Sequence, residues 1–203
     1  MGLLQKLFGK IKSPQTVLEY TLGTAIIAAT LLVIPLAAKV LSKEFEWSGF
    51  DFFAAWMLFF SAGLTYRLVA RKMKNNMYKA AVGFAVATGL FLVWSNLAVG
   101  LIGSEDNPAN LMYFGVIAIG FLGAIIARFK PEGMTKVLFA LAASHALIAA
   151  AALIMRLDLA PESFVAKILA VNGFFAVLWT GSALLFRNVA IDQKNESRTI
   201  STT

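Results

Sequence analysis

Cysteine is absent from the 203-residue chain, and histidine occurs once. The first absence excludes disulfides, thiolate chemistry and metal sites built on cysteine. A lone histidine cannot supply a two-histidine metal or haem site. The sequence also contains no HExxH, GxSxG, Walker or glycine-rich dinucleotide motif. We therefore predict no cofactor and no metal centre with an established motif, and we predict that the protein is not an enzyme.

Charged residues are scarce, at 14% of the chain against roughly 25% in an ordinary soluble domain. Hydrophobic residues make up 59%, and the mean hydropathy is +0.76. They come in long blocks, whereas the strands of an outer-membrane barrel alternate apolar and polar residues. Helices satisfy every backbone polar group internally, so the blocks predict membrane-spanning helices.

The fold predicted from these blocks is all-α: a polytopic transmembrane helical bundle of about six spans. Each block is close to the roughly 20 residues that cross the hydrocarbon core. The six blocks are Val17–Leu41, Phe50–Ala70, Ala80–Gly103, Leu111–Phe129, Met134–Met155 and Phe164–Phe186. The domain organisation predicted is a cytoplasmic amphipathic segment at 1–13, one transmembrane domain at 14–187, and a polar, disordered cytoplasmic tail at 188–203.

Local signals predict where individual helices begin and bend. Ser48 and Asp51 have the spacing of a capping box at the start of the second span, with Trp47 and Phe52 at the two staple positions. Pro35 is the one proline inside a block, and it predicts a kink in the first span.

Basic residues predict the orientation, because cytoplasmic loops of membrane proteins carry an excess of Lys and Arg. With both ends of the chain inside, all but four of the 18 Lys and Arg residues fall on the cytoplasmic side. The four exceptions are Lys39, Lys43, Arg156 and Lys167. The net charge of +7 is thus a topology signal. The partners it predicts are the lipid bilayer and its anionic head groups, and not nucleic acid.

Three of the polar residues within the apolar blocks are candidate functional residues. His145 lies at the middle of the fifth span, Asn172 near mid-depth in the sixth, and Asn96 in the outer half of the third. An ionisable group at that depth favours a functional site. The alternative is that these side chains make hydrogen bonds between helices.

The hairpin between the third and fourth spans is the other candidate site. Asn107 before Pro108 has the pattern of a helix N-cap with proline at the first helical position. Glu105 and Asp106 are a weak candidate for cation binding, because adjacent carboxylates are hard oxygen ligands. Plain turn chemistry is the alternative interpretation. The polar candidates of this hairpin are Ser104, Glu105, Asp106, Asn107 and Asn110.

The run from Leu92 to Arg128, which contains VWSNLAVGLIGSEDNPANLMYFGV, resembles a family of small uncharacterised bacterial multi-pass inner-membrane proteins. The SEDNPAN hairpin carries this resemblance. It implies a location in the bacterial inner membrane and implies no activity.

Two functions remain open from the sequence. The first is a structural or accessory membrane component that acts through helix–helix contacts, as a homo-oligomer or in a membrane complex. The second is a small transporter or channel with a polar pathway near His145, Asn172 and Asn96. The two hypotheses make different predictions about these three side chains. A transporter should place them around a hydrated cavity, whereas a structural component should pair them in a dry interface.

Overall fold

The structure, a computed structural model, describes residues 14–42, 46–155 and 164–201. Within these ranges the regular structure is helical throughout. The helices are α1 (Pro14–Leu31), α2 (Val33–Leu41), α3 (Gly49–Ala70), α4 (Asn76–Val99), a 3-10 turn (Pro108–Asn110), α5 (Leu111–Ile126), α6 (Pro131–Met155) and α7 (Phe164–Ser201). The predicted amphipathic segment at 1–13 lies outside the described residues.

Six helical segments of the described chain are long and apolar enough to cross a membrane, with α1 and α2 together forming the first. The predicted all-α polytopic fold is confirmed. The orientation of the two termini stays a prediction.

The sequence signals at the helix ends correspond to real contacts. The Ser48 side chain accepts a hydrogen bond from the Asp51 backbone, and the Asp51 carboxylate accepts one from the Ser48 backbone. Trp47 meets Phe52 edge-on, with ring centroids 5.3 Å apart. Both the predicted capping box and the staple are confirmed.

The first span is not one continuous helix near Pro35, where the sequence predicts a kink. The helix is interrupted at Leu32, whose backbone N–H donates to Ala29 in a tighter turn before α2 resumes. Proline has no N–H with which to bond the carbonyl four residues earlier, and its ring displaces that turn.

The predicted end of the third span is wrong. The third span ends at Val99 rather than Gly103, because Gly100 takes a φ of +63° and turns the chain. A Cβ at Gly100 would lie 2.3 Å from the Ser104 carbonyl oxygen, so only glycine fits this turn. Leu101 and Ile102, although apolar, belong to the loop, where they are buried.

The tail predicted to be disordered from residue 188 continues α7 as far as Ser201. Its first turns keep one face packed. Val189 is fully buried next to Phe186 on the same face, and the Gln193 amide donates to the Met73 sulfur at 3.6 Å. This spacing of packed residues sustains a helix where composition alone predicts disorder.

The described chain divides into two compact units, the first ending at Lys72 and the second beginning at Met73. The single transmembrane domain at 14–187 stays a prediction. In the first unit the Trp56 indole donates to the Ala25 carbonyl at 3.2 Å, which joins α3 to α1.

The second unit comprises α4 to α7 and contains every candidate site residue. In this unit α7 packs against α6 and α4, and α5 packs against α6. The Tyr78 hydroxyl donates to the Phe129 carbonyl at 2.9 Å, which ties the start of α4 to the turn that follows α5.

Candidate functional site

The lone histidine lies in a buried polar cluster built by three helices of the second unit. His145 comes from the middle of α6, Tyr113 from the start of α5, and Asn172 and Trp179 from α7. Asn172 and Trp179 are seven residues apart, so they share one face of α7. We call these four residues the His145 cluster.

Both ring nitrogens of His145 have a partner. Nδ1 lies 3.2 Å from the Asn172 Oδ1, and Nε2 lies 3.2 Å from the Trp179 Nε1. An indole N–H can only donate, so the His145 Nε2 must be the acceptor and carry no proton. Nδ1 then carries the proton and donates it to the Asn172 oxygen. The imidazole held by these partners is neutral, with its hydrogen on Nδ1.

The Asn172 amide completes the network. Its Nδ2 donates to the Tyr113 hydroxyl at 3.1 Å and to the Ile168 carbonyl at 3.0 Å, which uses both amide hydrogens. Its Oδ1 also lies 3.3 Å from the Tyr113 hydroxyl. Every side-chain nitrogen and oxygen of the His145 cluster is therefore hydrogen-bonded.

Side-chain packing closes the cluster. His145 is 0% exposed, Tyr113 1%, Asn172 2% and Trp179 3%. Phe175 stacks on the imidazole at 5.5 Å, with the two ring planes 16° apart. A cationic imidazole would put an N–H against the indole N–H in this enclosed site, so the packing favours the neutral form.

The third mid-span candidate, Asn96, does not join the His145 cluster. Its Nδ2 donates to the Asn110 carbonyl at 3.2 Å, which links the end of α4 to the hairpin. Its Oδ1 is buried without a hydrogen-bond partner. The structure thus brings His145 and Asn172 together and places Asn96 in a different polar group.

Asn110 organises the hairpin from inside. Its Oδ1 accepts from the backbone N–H groups of Leu101 and Ile102, at 2.9 and 2.8 Å. Its Nδ2 donates to the carbonyls of Ile102, at 3.3 Å, and Ser104, at 2.7 Å. The side chain is 5% exposed. It therefore satisfies backbone groups that the turn at Gly100 leaves without helical partners.

Asn107 caps the 3-10 turn that leads into α5, as predicted, by accepting from the Ala109 N–H at 2.9 Å. Its backbone N–H donates to the Ser104 carbonyl at 3.1 Å. The Lys167 ammonium, from α7, donates to the Gly103 carbonyl at 3.1 Å. Turn, cap and interhelical bonds thus account for most polar groups of the hairpin.

The candidate cation ligands Glu105 and Asp106 are exposed at the tip of the hairpin. In the described part of the chain, no group of three or more His, Asp or Glu side chains could hold a metal ion. The two carboxylates do not form a preorganised metal cage with a third such side chain.

Sequence reasoning missed Tyr113 and Trp179. Each is an aromatic residue with a polar tip inside an apolar span, and such tips usually find a partner when buried. The seven-residue spacing of Asn172 and Trp179 indicates a shared face. Nothing in the sequence indicates that His145 meets them, because the contacts join three separate helices.

Comparison with models of known protein families finds no match, and neither the curated proteins nor the solved structures provide one. The class of protein is set by the helices: an all-α, multi-pass integral membrane protein. The resemblance of Leu92–Arg128 to an inner-membrane family stays a prediction.

Proposed function

We propose that this protein is a structural or accessory component of a bacterial inner membrane, acting through helix–helix contacts with a second copy or with a larger membrane complex. The observation that carries the proposal is the His145 cluster. An ionisable residue at mid-membrane depth favours a transport pathway only if its polar atoms are available to a substrate or proton. Here they are all engaged between helices, and the site is closed by packing.

A second observation argues against a transport pathway. Asn96 is bonded to the hairpin, so the three polar candidates do not converge on one site. Hydrogen bonds of this kind are worth roughly 0.6–2 kcal/mol each between membrane helices. That magnitude suits a role in holding α5, α6 and α7 in one arrangement.

A surface for contact with another helix is available on α6. Ala146 and Ala150 are exposed and lie one turn apart, which allows two helix backbones to approach closely. Leu147 beside them is 70% exposed. In lipid, association depends on such close packing, because apolar side chains gain nothing by leaving a solvent as apolar as themselves.

A bulky residue on this surface tests the proposal. Ala146→Trp should block a close helix contact, whereas Val177→Trp, at a 71%-exposed position on α7, should be tolerated as a lipid-facing change. The measurement is the mass of the protein extracted into native nanodiscs, compared with that of a 21.9 kDa monomer.

We expect the wild-type protein and Val177→Trp to have the mass of an assembly larger than a monomer. Ala146→Trp should disrupt that assembly. The proposal is overturned if the wild-type protein is a monomer with no other protein bound to it. It is also overturned if the reconstituted protein conducts ions or solutes across liposome membranes.

We further propose that both ends of the chain face the cytoplasm, on the distribution of Lys and Arg along the sequence. Reporter fusions after Lys74 and after Lys130 should then read cytoplasmic, and a fusion at Asp106 should read periplasmic. A periplasmic reading after Lys74 would contradict this orientation.

A further inference from the structure

An open groove of about 390 Å³ lies between the start of α6 and the late part of α7, and it is lined by both charged and apolar side chains. We call it the α6–α7 groove. The residues that matter for its chemistry are Glu132, Lys136 and Phe139 from α6, and Arg187, Ile191 and Lys194 from α7.

Helix geometry explains why these residues meet. In each helix the three positions are spaced i, i+4 and i+7, the spacing of one helical face. The face of α6 that carries Lys136 and the face of α7 that carries Arg187 border the same cavity. The groove is therefore a concave site and not a scatter of surface charges.

The charge of the groove is positive. Three basic side chains and one carboxylate give a net +2. Among the described residues, Glu132, Lys136, Arg187 and Lys194 form no ion pair. Three cations brought to one cavity repel one another unless an anion lies between them.

The groove also has an apolar part. Phe139 is 39% exposed and Ile191 is 46% exposed. A span needs roughly 20 residues to cross the hydrocarbon, so α7 leaves it near residue 183, one turn before Arg187. The groove then lies where acyl chains meet head groups, on the side that the charge distribution predicts to be cytoplasmic.

We propose that the α6–α7 groove binds one anionic phospholipid, with the phosphate held by Lys136, Arg187 and Lys194 and an acyl chain lying on Phe139. The planar guanidinium of Arg187 suits two oxygens of a phosphate. Basic pockets between spans on the cytoplasmic side are a recurring type of head-group site. The proposal requires the membrane assignment and is independent of the helix-contact function.

The test compares two variants of the full-length protein, each with three basic residues replaced by glutamine, so that both have the same net charge. The groove variant is Lys136→Gln, Arg187→Gln and Lys194→Gln. The control is Lys79→Gln, Arg128→Gln and Lys130→Gln, which removes three charges of the same unit outside the groove. The measurement is binding of phosphatidylglycerol by native mass spectrometry and by thermal shift in nanodiscs, relative to phosphatidylcholine.

We expect the groove variant to weaken phosphatidylglycerol binding by about 100-fold, at about fivefold for each charge removed near the surface. The control should change it much less. Arg187→Gln alone should give about a fivefold loss, and this single exposed change tests the site even if the triple variant does not fold. An equal loss in groove variant and control would overturn the proposal, because the binding would then be diffuse attraction.

Two further arms identify the occupant. Glu132→Gln should tighten phosphatidylglycerol binding by removing the one negative charge, and a weaker binding would instead indicate a zwitterionic lipid whose ammonium meets Glu132. Inorganic phosphate added to phosphatidylcholine nanodiscs should not reproduce the thermal shift. If it does, and does so only with the groove intact, the occupant is free phosphate and the lipid proposal is wrong.

Discussion

The His145 cluster and the α6–α7 groove both use side chains of α6 and α7, to which the cluster adds Tyr113 of α5, but the polar groups of the two regions have opposite roles. In the cluster, every side-chain nitrogen and oxygen has a partner inside the protein, and each side chain is at most 3% exposed. In the groove, Lys136, Arg187 and Lys194 are exposed and form no ion pair in the described chain.

Polar side chains that hold a membrane protein together can thus be separated from those that bind a ligand. Depth in the membrane does not distinguish them, because a buried polar group is costly wherever it lies unless it is paired. Whether its hydrogen-bonding capacity is already used does distinguish them. Variants of the His145 cluster should therefore lose stability in any lipid, whereas variants of the α6–α7 groove should lose only the response to anionic lipid.

The largest effect is expected at the centre of the cluster. His145→Ala leaves the Trp179 N–H without a partner, removes one of the two partners of the Asn172 oxygen and opens a cavity, at a cost of about 2–4 kcal/mol in the free energy of unfolding. Titration with denaturing detergent in mixed micelles measures it. The loss should be the same with and without anionic lipid.

His145→Gln is the matched control for this change. Glutamine keeps one donor and one acceptor, so it should lose only about 1 kcal/mol and retain normal abundance and function in a deletion-complementation assay. Abundance restored without function would contradict the account, because it would mean that the imidazole itself takes part in a reaction.

A smaller effect is expected in the hairpin. Asn110→Ala removes four side-chain hydrogen bonds and leaves the N–H groups of Leu101 and Ile102 unpaired, for a loss of about 2 kcal/mol. Asn107→Ala removes a cap and should cost about 1 kcal/mol. Thermal unfolding in one detergent compares the two, and the reverse order would show that Asn110 does not organise the turn.

The smallest change in stability is expected at the hairpin tip. Glu105→Gln combined with Asp106→Asn alters exposed side chains and should shift the free energy of unfolding by less than about 0.5 kcal/mol. The sequence predicts that this pair lowers function while leaving abundance intact. Full complementation by the double variant would make the hairpin a structural turn alone.

Local features were the most predictable from the sequence. The capping box at Ser48, the staple of Trp47 with Phe52 and the interruption of the first span near Pro35 each depend on residues within a few positions of one another. Such signals act through backbone groups that are neighbours in any fold. They consequently need no tertiary information.

The features that the sequence did not predict depend on contacts between distant parts of the chain. The pairing of Tyr113 with Asn172 joins residues 59 positions apart, and that of His145 with Trp179 spans 34. Which helix faces meet is decided by packing across the whole unit. The helical tail was missed similarly, since Val189 is buried by contacts that composition does not reveal.

The central claim is that the protein's single histidine has only a structural role, with both ring nitrogens hydrogen-bonded inside the protein. Because the chain contains a single histidine, selective 15N-histidine labelling leaves two side-chain resonances to assign. Solid-state NMR in lipid at neutral pH should show a neutral imidazole with its proton on Nδ1 and a hydrogen-bonded, unprotonated Nε2. Trp179→Phe should perturb the Nε2 resonance. An imidazolium, or a neutral ring with its proton on Nε2, would contradict the account.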